Sequence, residues 1–172
     1  MRIRKINRLA GGMKDARVEK YERTNRRDNQ DAPETKRGAG VIMKIKDFEL
    51  DQFTTAYIEA ALWTTNDDED KPLDQNYSVS DFADKALEKI VKDCQGFQEK
   101  NRALIDQINY GHREQEWSRN ALAGHDFWLT RNRHGAGFWD RGLGELGETL
   151  TKKSHAYNEC YIYVSDEKLY LG

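Results

Sequence analysis

Between residues 123 and 147 the chain reads AGHDFWLTRNRHGAGFWDRGLGELG. This stretch holds two of the four tryptophans, two of the four histidines and six of the thirteen glycines. Three kinds of chemistry are within reach of these residue types. His125, Asp126, His134 and Asp140 are imidazoles and carboxylates, the ligand types that a metal-assisted phosphoester hydrolase gathers around its ion. Arg131, Asn132, Arg133, His134, Trp139 and Arg141 combine cations, amide donors and a planar ring, which suits an anion, a phosphate or an acidic protein surface. Gly142 to Gly147, GLGELG, spells the dinucleotide pattern G-x-G-x-x-G.

Spacing weighs against the first and third. A catalytic metal needs about three converging ligands, and adjacent His125 and Asp126 would point to opposite faces of a strand. His112 is a further histidine that could reach the region. The dinucleotide fingerprint needs an apolar parallel strand before its first glycine, whereas FWDR precedes Gly142; a glycine-rich turn and helix start is the better reading. Nucleophilic catalysis is weaker still, because no Gly-x-Ser-x-Gly elbow exists and neither cysteine sits in an activating pattern with a histidine.

The second reading depends on what holds those residues. DFWLT (126–130) and GFWD (137–140) are aromatic runs joined by an Asn- and Gly-containing loop, a hairpin signal. In that hairpin His125, Phe127, Leu129 and Arg131 share one face, and Asp126, Trp128, Thr130 and Asn132 share the other. The strand would be covered on both sides and would push Arg131, Asn132, Arg133 and His134 outward at its tip.

Around it the periodicity predicts a helix at about 49–63, from Leu50, Phe53, Tyr57 and Ala61 with Ile58 and Leu62 widening the stripe. TTNDDEDKPLDQN follows as a solvated acidic loop, without the central glycine or final glutamate of a calcium loop. Ser80 is the expected cap of a second helix running to about 109, with Gly96 marking a bend. GHREQEWSRNALA reads as polar, with a short helix around Trp117. A further helix is expected at about 144–157, and CYIYV (160–164) with LYL (169–171) around SDEK forms a hairpin. The fold class expected is α+β, with helices packed on a small antiparallel sheet built from two β-hairpins.

Composition bounds the rest. At 172 residues, 37% hydrophobic and 34% charged, the chain supports one domain with a modest core. No apolar run reaches the length of a membrane span, and MRIRKINRLAGG lacks the apolar stretch of a secretory signal. Cys94 and Cys160 are too few for a disulfide framework; two buried thiols in a reducing cytoplasm are favoured over one bridge. Residues 1–42 carry 12 Lys/Arg against 6 Asp/Glu, and residues 43–172 carry 16 against 24. The expected organisation is a disordered basic leader, 1–42, and a single domain, 43–172. The leader is read either as an arm engaging phosphate or an acidic partner, or as translated upstream sequence with the natural start at Met43.

The block AGHDFWLTRNRHGAGFWDRG resembles one in small accessory proteins of tailed phages and prophages. That family is similar also in an AYIEAALWTT helix and a final Tyr-rich YIYV…LY hairpin. The resemblance spans residues 43–172. It implies an accessory, non-virion role in an infected cell, such as modulating a host or defence factor, and no particular mechanism.

The preferred reading is a non-enzymatic binding protein with no cofactor, working in the cytoplasm of a bacterial host. Its partner, a host or defence protein, meets Arg131, Asn132, Arg133, His134, Trp139 and Arg141, while Asp140 and His125 orient their neighbours. The acidic body repels a nucleic-acid backbone, and in one variant it mimics nucleic acid to occupy a defence enzyme. The rivals are the metal-dependent hydrolase on His125, Asp126, His134 and Asp140, and a nucleic-acid binder using the basic leader, the tip arginines and Trp139 as a stacking surface.

Overall fold

A computed structural model describes residues 43–172; the basic leader, and the disorder expected of it, lie outside the described residues. The architecture is α+β, with four helices and two separate two-stranded antiparallel ribbons among the described residues. The described residues open on a hairpin of β1 (Met43–Ile45) and β2 (Phe48–Leu50), and close on one of β3 (Ile162–Ser165) and β4 (Lys168–Leu171). Between them run α1 (Gln52–Thr64), α2 (Asp84–Ile105), α3 (Arg119–Arg131) and α4 (Glu145–His155). Among the described residues no helix is long and apolar enough to cross a membrane.

Helix α1 starts where the Asp51 carboxylate accepts a hydrogen bond from the Thr54 N–H at 2.7 Å, satisfying one of the donors a helix N-terminus leaves open. Phe53, Ala56, Tyr57, Ile58, Ala60, Ala61 and Leu62 are all buried, so the helix is covered nearly all round. Its small residues let α3 approach closely. Helix α2 is amphipathic, burying Leu87, Ile90, Cys94, Phe97 and Ile105 on one face. The expected cap at Ser80 gives way to a short 3-10 turn, Val79–Asp81, in which the Ser78 N–H donates to the Asp81 carboxylate at 2.7 Å; α2 itself begins three residues later. In α4, Glu145 and Glu148 lie in the first turn and Lys152, Lys153 and His155 in the last, each end complementing the helix dipole.

The core is aromatic where α1, α2 and α3 meet. Phe97 stacks on Phe127 with ring centroids 4.0 Å apart, and Tyr57 meets Trp128 edge-on at 5.2 Å. Rings of this size contribute about 1.5–3 kcal/mol each by burial. Cys94 and Cys160 are both free thiols within this core. In the acidic loop the Asp67 carboxylate accepts from the N–H groups of Glu69 and Lys71, both at 2.9 Å, and so is spent on the turn itself.

The expected 126–140 hairpin is corrected. Residues 126–130 belong to α3, capped by Ser118, whose hydroxyl accepts from the Ala121 N–H at 3.1 Å. GFWD is a loop closed by a 3-10 turn at Phe138–Asp140. Bulky apolar groups on alternate residues, which suggested a strand covered on both faces, come from a helix buried around its whole circumference: from Ala121 to Arg131 only His125 is not fully buried. The true second hairpin is β1–β2, at the start of the domain.

Candidate functional site

The site is built around His125 and Asp126 of α3 and the loop that returns against that helix. Helix α3 ends when the His134 N–H bonds to the Leu129 carbonyl at 2.9 Å and Arg133 takes a positive φ of 54°. The loop then turns back over the helix at Gly137. A Cβ there would stand 2.3 Å from the Thr130 hydroxyl oxygen, and φ is 153°, so only glycine fits. The Phe138 N–H donates to that same hydroxyl at 2.9 Å, and the Gly137 N–H to the Asp140 carboxylate at 3.0 Å. Asp140 therefore fixes the turn.

This fold-back delivers Arg141 to Asp126. The guanidinium grips the carboxylate through Nε, at 3.0 Å from both oxygens, and Nη2, at 2.6 Å from Oδ1. Nη1 also lies 3.4 Å from the Asp140 carboxylate. Burial alone would raise the pKa of Asp126, whose side chain is 1% exposed. The neighbouring His125 ring and Arg141 outweigh burial and hold it below the usual carboxylate value. Burial likewise pulls Arg141 down, and Asp126 with Asp140 reverses this, keeping it firmly cationic. Tyr110 lies in the same cluster; burial first, and then the negative Asp126, push its hydroxyl pKa far up.

His125 completes the front of the cluster. Its Nδ1 lies 3.4 Å from Asp126 Oδ1, and its ring stacks on Trp63 with centroids 6.3 Å apart and planes 24° from parallel. Trp63 is 41% exposed and Trp139, next to Asp140, is 54% exposed. Two indole rings thus face water: Trp63 heads the chain of contacts Trp63–His125–Asp126–Arg141–Asp140, and Trp139 precedes Asp140 in sequence. Such a cluster offers apolar contact through exposed indoles, with a half-buried imidazole set between Trp63 and the Asp126 carboxylate.

The sequence-predicted residues divide. Arg131 is corrected from an exposed tip to the core: Nη1 donates to the Tyr57 hydroxyl at 2.9 Å and to Asp93 at 2.8 Å, while Nε and Nη2 reach the carbonyls of Asn158 and Tyr157 at 2.6 and 3.0 Å. Asn132 is also turned to structure, donating to the Trp128 carbonyl at 3.1 Å and accepting from the Cys160 N–H at 2.8 Å. His134 is half-buried near Trp128, and burial lowers its pKa. Arg133 remains exposed, paired with exposed Glu159 at 2.6 Å. The continuous cationic tip is therefore absent, because its central arginine holds the domain together.

The metal arrangement is corrected as well. Among the described residues no three His, Cys, Asp or Glu side chains are placed to hold an ion. His125 and Asp126 sit against Trp63 and Arg141, His134 against Trp128, and His112 lies exposed on the 3-10 turn Gly111–Gln115. The sequence reading missed Trp63 and Tyr110. Trp63 left a signal: it falls off the apolar stripe of the helix that carries it.

No family model matches the chain, and no curated protein or solved structure matches it either.

Proposed function

We propose that the chain is a non-enzymatic binding protein of the phage-accessory type, acting in the cytoplasm of a bacterial host. It holds a host or defence protein through the surface of Trp63, His125 and Trp139, with Arg133 at the rim. The observation that carries this reading is the Trp63–His125 stack, set in front of a buried Asp126–Arg141 clamp. A large exposed aromatic is normally free to rotate and contributes little until something orders it. Here the imidazole beneath the indole is placed by a carboxylate that three guanidinium hydrogen bonds lock. Pre-organisation of this kind lowers the entropy lost on binding, and tryptophan and arginine are the residue types that dominate interface energies.

Of the six residues first expected to touch the partner, Arg133 and Trp139 keep that role. Arg131, Asn132 and Arg141 act by holding the fold in shape, and His134 is half-buried beside Trp128. The test is affinity capture from the bacterial host with the intact chain and with a Trp63→Ala/Trp139→Ala variant of unchanged melting temperature. A partner retained by the first and lost at least about thirtyfold by the second, roughly 2 kcal/mol, is expected. Equal retention by both would overturn the reading.

A further inference from the structure

The closing ribbon carries a second exposed aromatic surface that shares no residue with the first. Tyr161 is 66% exposed and Tyr163 is 45% exposed. The Tyr163 ring lies 6.2 Å from that of Tyr161 and stacks on Tyr170 at 5.5 Å, 21° from parallel. Ribbon alternation explains the grouping: Ile162 and Leu169 point into the core, so Tyr161, Tyr163 and Tyr170 share the opposite face. A hairpin face turned to water needs only polar residues. Three contiguous tyrosines there make a rigid, amphipathic contact patch.

The edges of the ribbon differ. Tyr161 and Gly172 exchange both backbone hydrogen bonds, at 3.4 and 3.0 Å. Two-residue alternation from that pair turns the N–H and C=O groups of Val164 on β3 and Leu169 on β4 outward. The Leu169 carbonyl is taken by the Ala83 N–H at 2.9 Å. Val164, 38% exposed, has no backbone partner beyond the ribbon among the described residues. The β3 strand, IYVS, also lacks the lysine, proline or bulge that usually protects such an edge.

Charge selects the occupant. The turn joining the strands is Asp166–Glu167, both at positive φ (48° and 58°) and both exposed, which sets two carboxylates at the ribbon's end. The one cation of the hairpin, Lys168, shares the tyrosine face by the register, but it sits on β4 rather than on the open β3 edge, and close enough to Asp84 to lower that carboxylate's pKa. Tyrosine faces attract guanidinium groups, and carboxylates at the end of the platform add to that attraction. Phosphate backbones would be repelled.

We propose that the β3 side of this ribbon is a docking site for an extended basic segment of a partner protein. The segment lies along Tyr161, Tyr163 and Tyr170, exchanges backbone hydrogen bonds with Val164, and directs arginines over the rings and toward Asp166 and Glu167. The mode is strand addition with specificity set by alternate side chains.

The test titrates two synthetic peptides of roughly eight residues, alternating Thr-Arg and alternating Thr-Glu, into the full chain, read residue by residue by NMR. The Thr-Arg peptide is expected to shift Tyr161–Ser165 and Lys168–Leu171, to slow exchange of the Val164 amide, and to bind about tenfold more weakly at roughly 0.5 M salt. Tyr161→Ser/Tyr163→Ser and Asp166→Asn/Glu167→Gln, each checked for unchanged melting, are expected to weaken it about tenfold as well. Equal binding of the Thr-Glu peptide, or no shift at the ribbon up to about 1 mM, would overturn the proposal. So would concentration-dependent shifts at the ribbon without peptide, which would assign the edge to a second copy of the chain. None of these outcomes depends on Trp63 or Trp139.

Discussion

Gly124 of α3 presses against Phe53 of α1 so closely that a Cβ on the glycine would stand 2.0 Å from the Phe53 carbonyl oxygen. The atom in the way is backbone, which cannot rotate aside. Gly124→Ala must therefore separate the two helices that carry Trp63 and His125. It is expected to destabilise by about 3 kcal/mol or more, beyond the usual range for an added methyl group in a core. Gly135→Ala is the control, because nothing lies within 4 Å of its Cβ position. Thermal melts of the two variants should differ sharply, and a Gly124→Ala melt matching the parent would contradict the close crossing.

The Asp126–Arg141 clamp should behave as a buried ion pair. Arg141→Met leaves a carboxylate that is 1% exposed facing an apolar neighbour, and is expected to cost about 3–5 kcal/mol. Asp126→Leu/Arg141→Met removes both charges and should cost less than the two single changes added together. The pH dependence has a definite sign. Asp126 is held below its unfolded value, so its stabilisation is complete above the unfolded carboxylate pKa of about 3.9 and is lost as pH falls through the folded value. Denaturant melts of the parent should weaken with acid across that window, and the double variant should lose this share of the slope.

Arg131 and Arg133 are two residues apart and should differ widely. Arg131 serves four acceptors from a side chain that is 2% exposed. Arg131→Lys keeps the charge but cannot reproduce the planar fork, and a loss of about 3 kcal/mol is expected. Arg133→Ala breaks only a pair whose members are 62% and 61% exposed, and should stay within about 0.5 kcal/mol. Chemical denaturation of both variants checks this, and a near-neutral Arg131→Lys would refute the structural role.

That contrast shows where sequence reasoning succeeded and where it stopped. The α2 face, the α4 helix and the β3–β4 hairpin were legible because each is amphipathic or turn-marked, so period and composition agree; α1, though covered nearly all round, still showed in the three-and-four spacing of Leu50, Phe53, Tyr57 and Ala61. The 126–130 segment was not, because it is buried on every side. With apolar groups all round, a period of 3.6 leaves no polar stripe to betray it, and the same residues satisfy a two-sided strand. The Ser118 cap and the Ala121–Ala123 run were the available helix signals. The inward turn of Arg131 could not be read locally, since its partners Asp93, Tyr57 and the 157–158 carbonyls are distant in sequence. Trp139 was legible as exposed because a charged Asp-Arg pair follows it directly.

The two thiols report on how tightly this core is closed. Cys94 is fully buried, and burial, with the nearby Asp51 carboxylate, raises its pKa well above the ordinary value, so little reactive thiolate exists even at alkaline pH. Cys160 is 6% exposed, with its sulfur 3.7 Å from the Tyr57 hydroxyl. Neither should react with an aromatic disulfide reagent while the domain is folded, and both should react at once in denaturant. Native-state labelling must then proceed through opening. When opening and closing are fast, its rate should rise about tenfold for each 1.4 kcal/mol of stability removed. Gly124→Ala and Arg131→Lys should accelerate both thiols together, and Arg133→Ala neither. A rapid burst from one cysteine in a protein of unchanged circular dichroism would mean that the α1–α3 core opens separately from the rest, and the Trp63–His125 surface could not then rest on a rigid base.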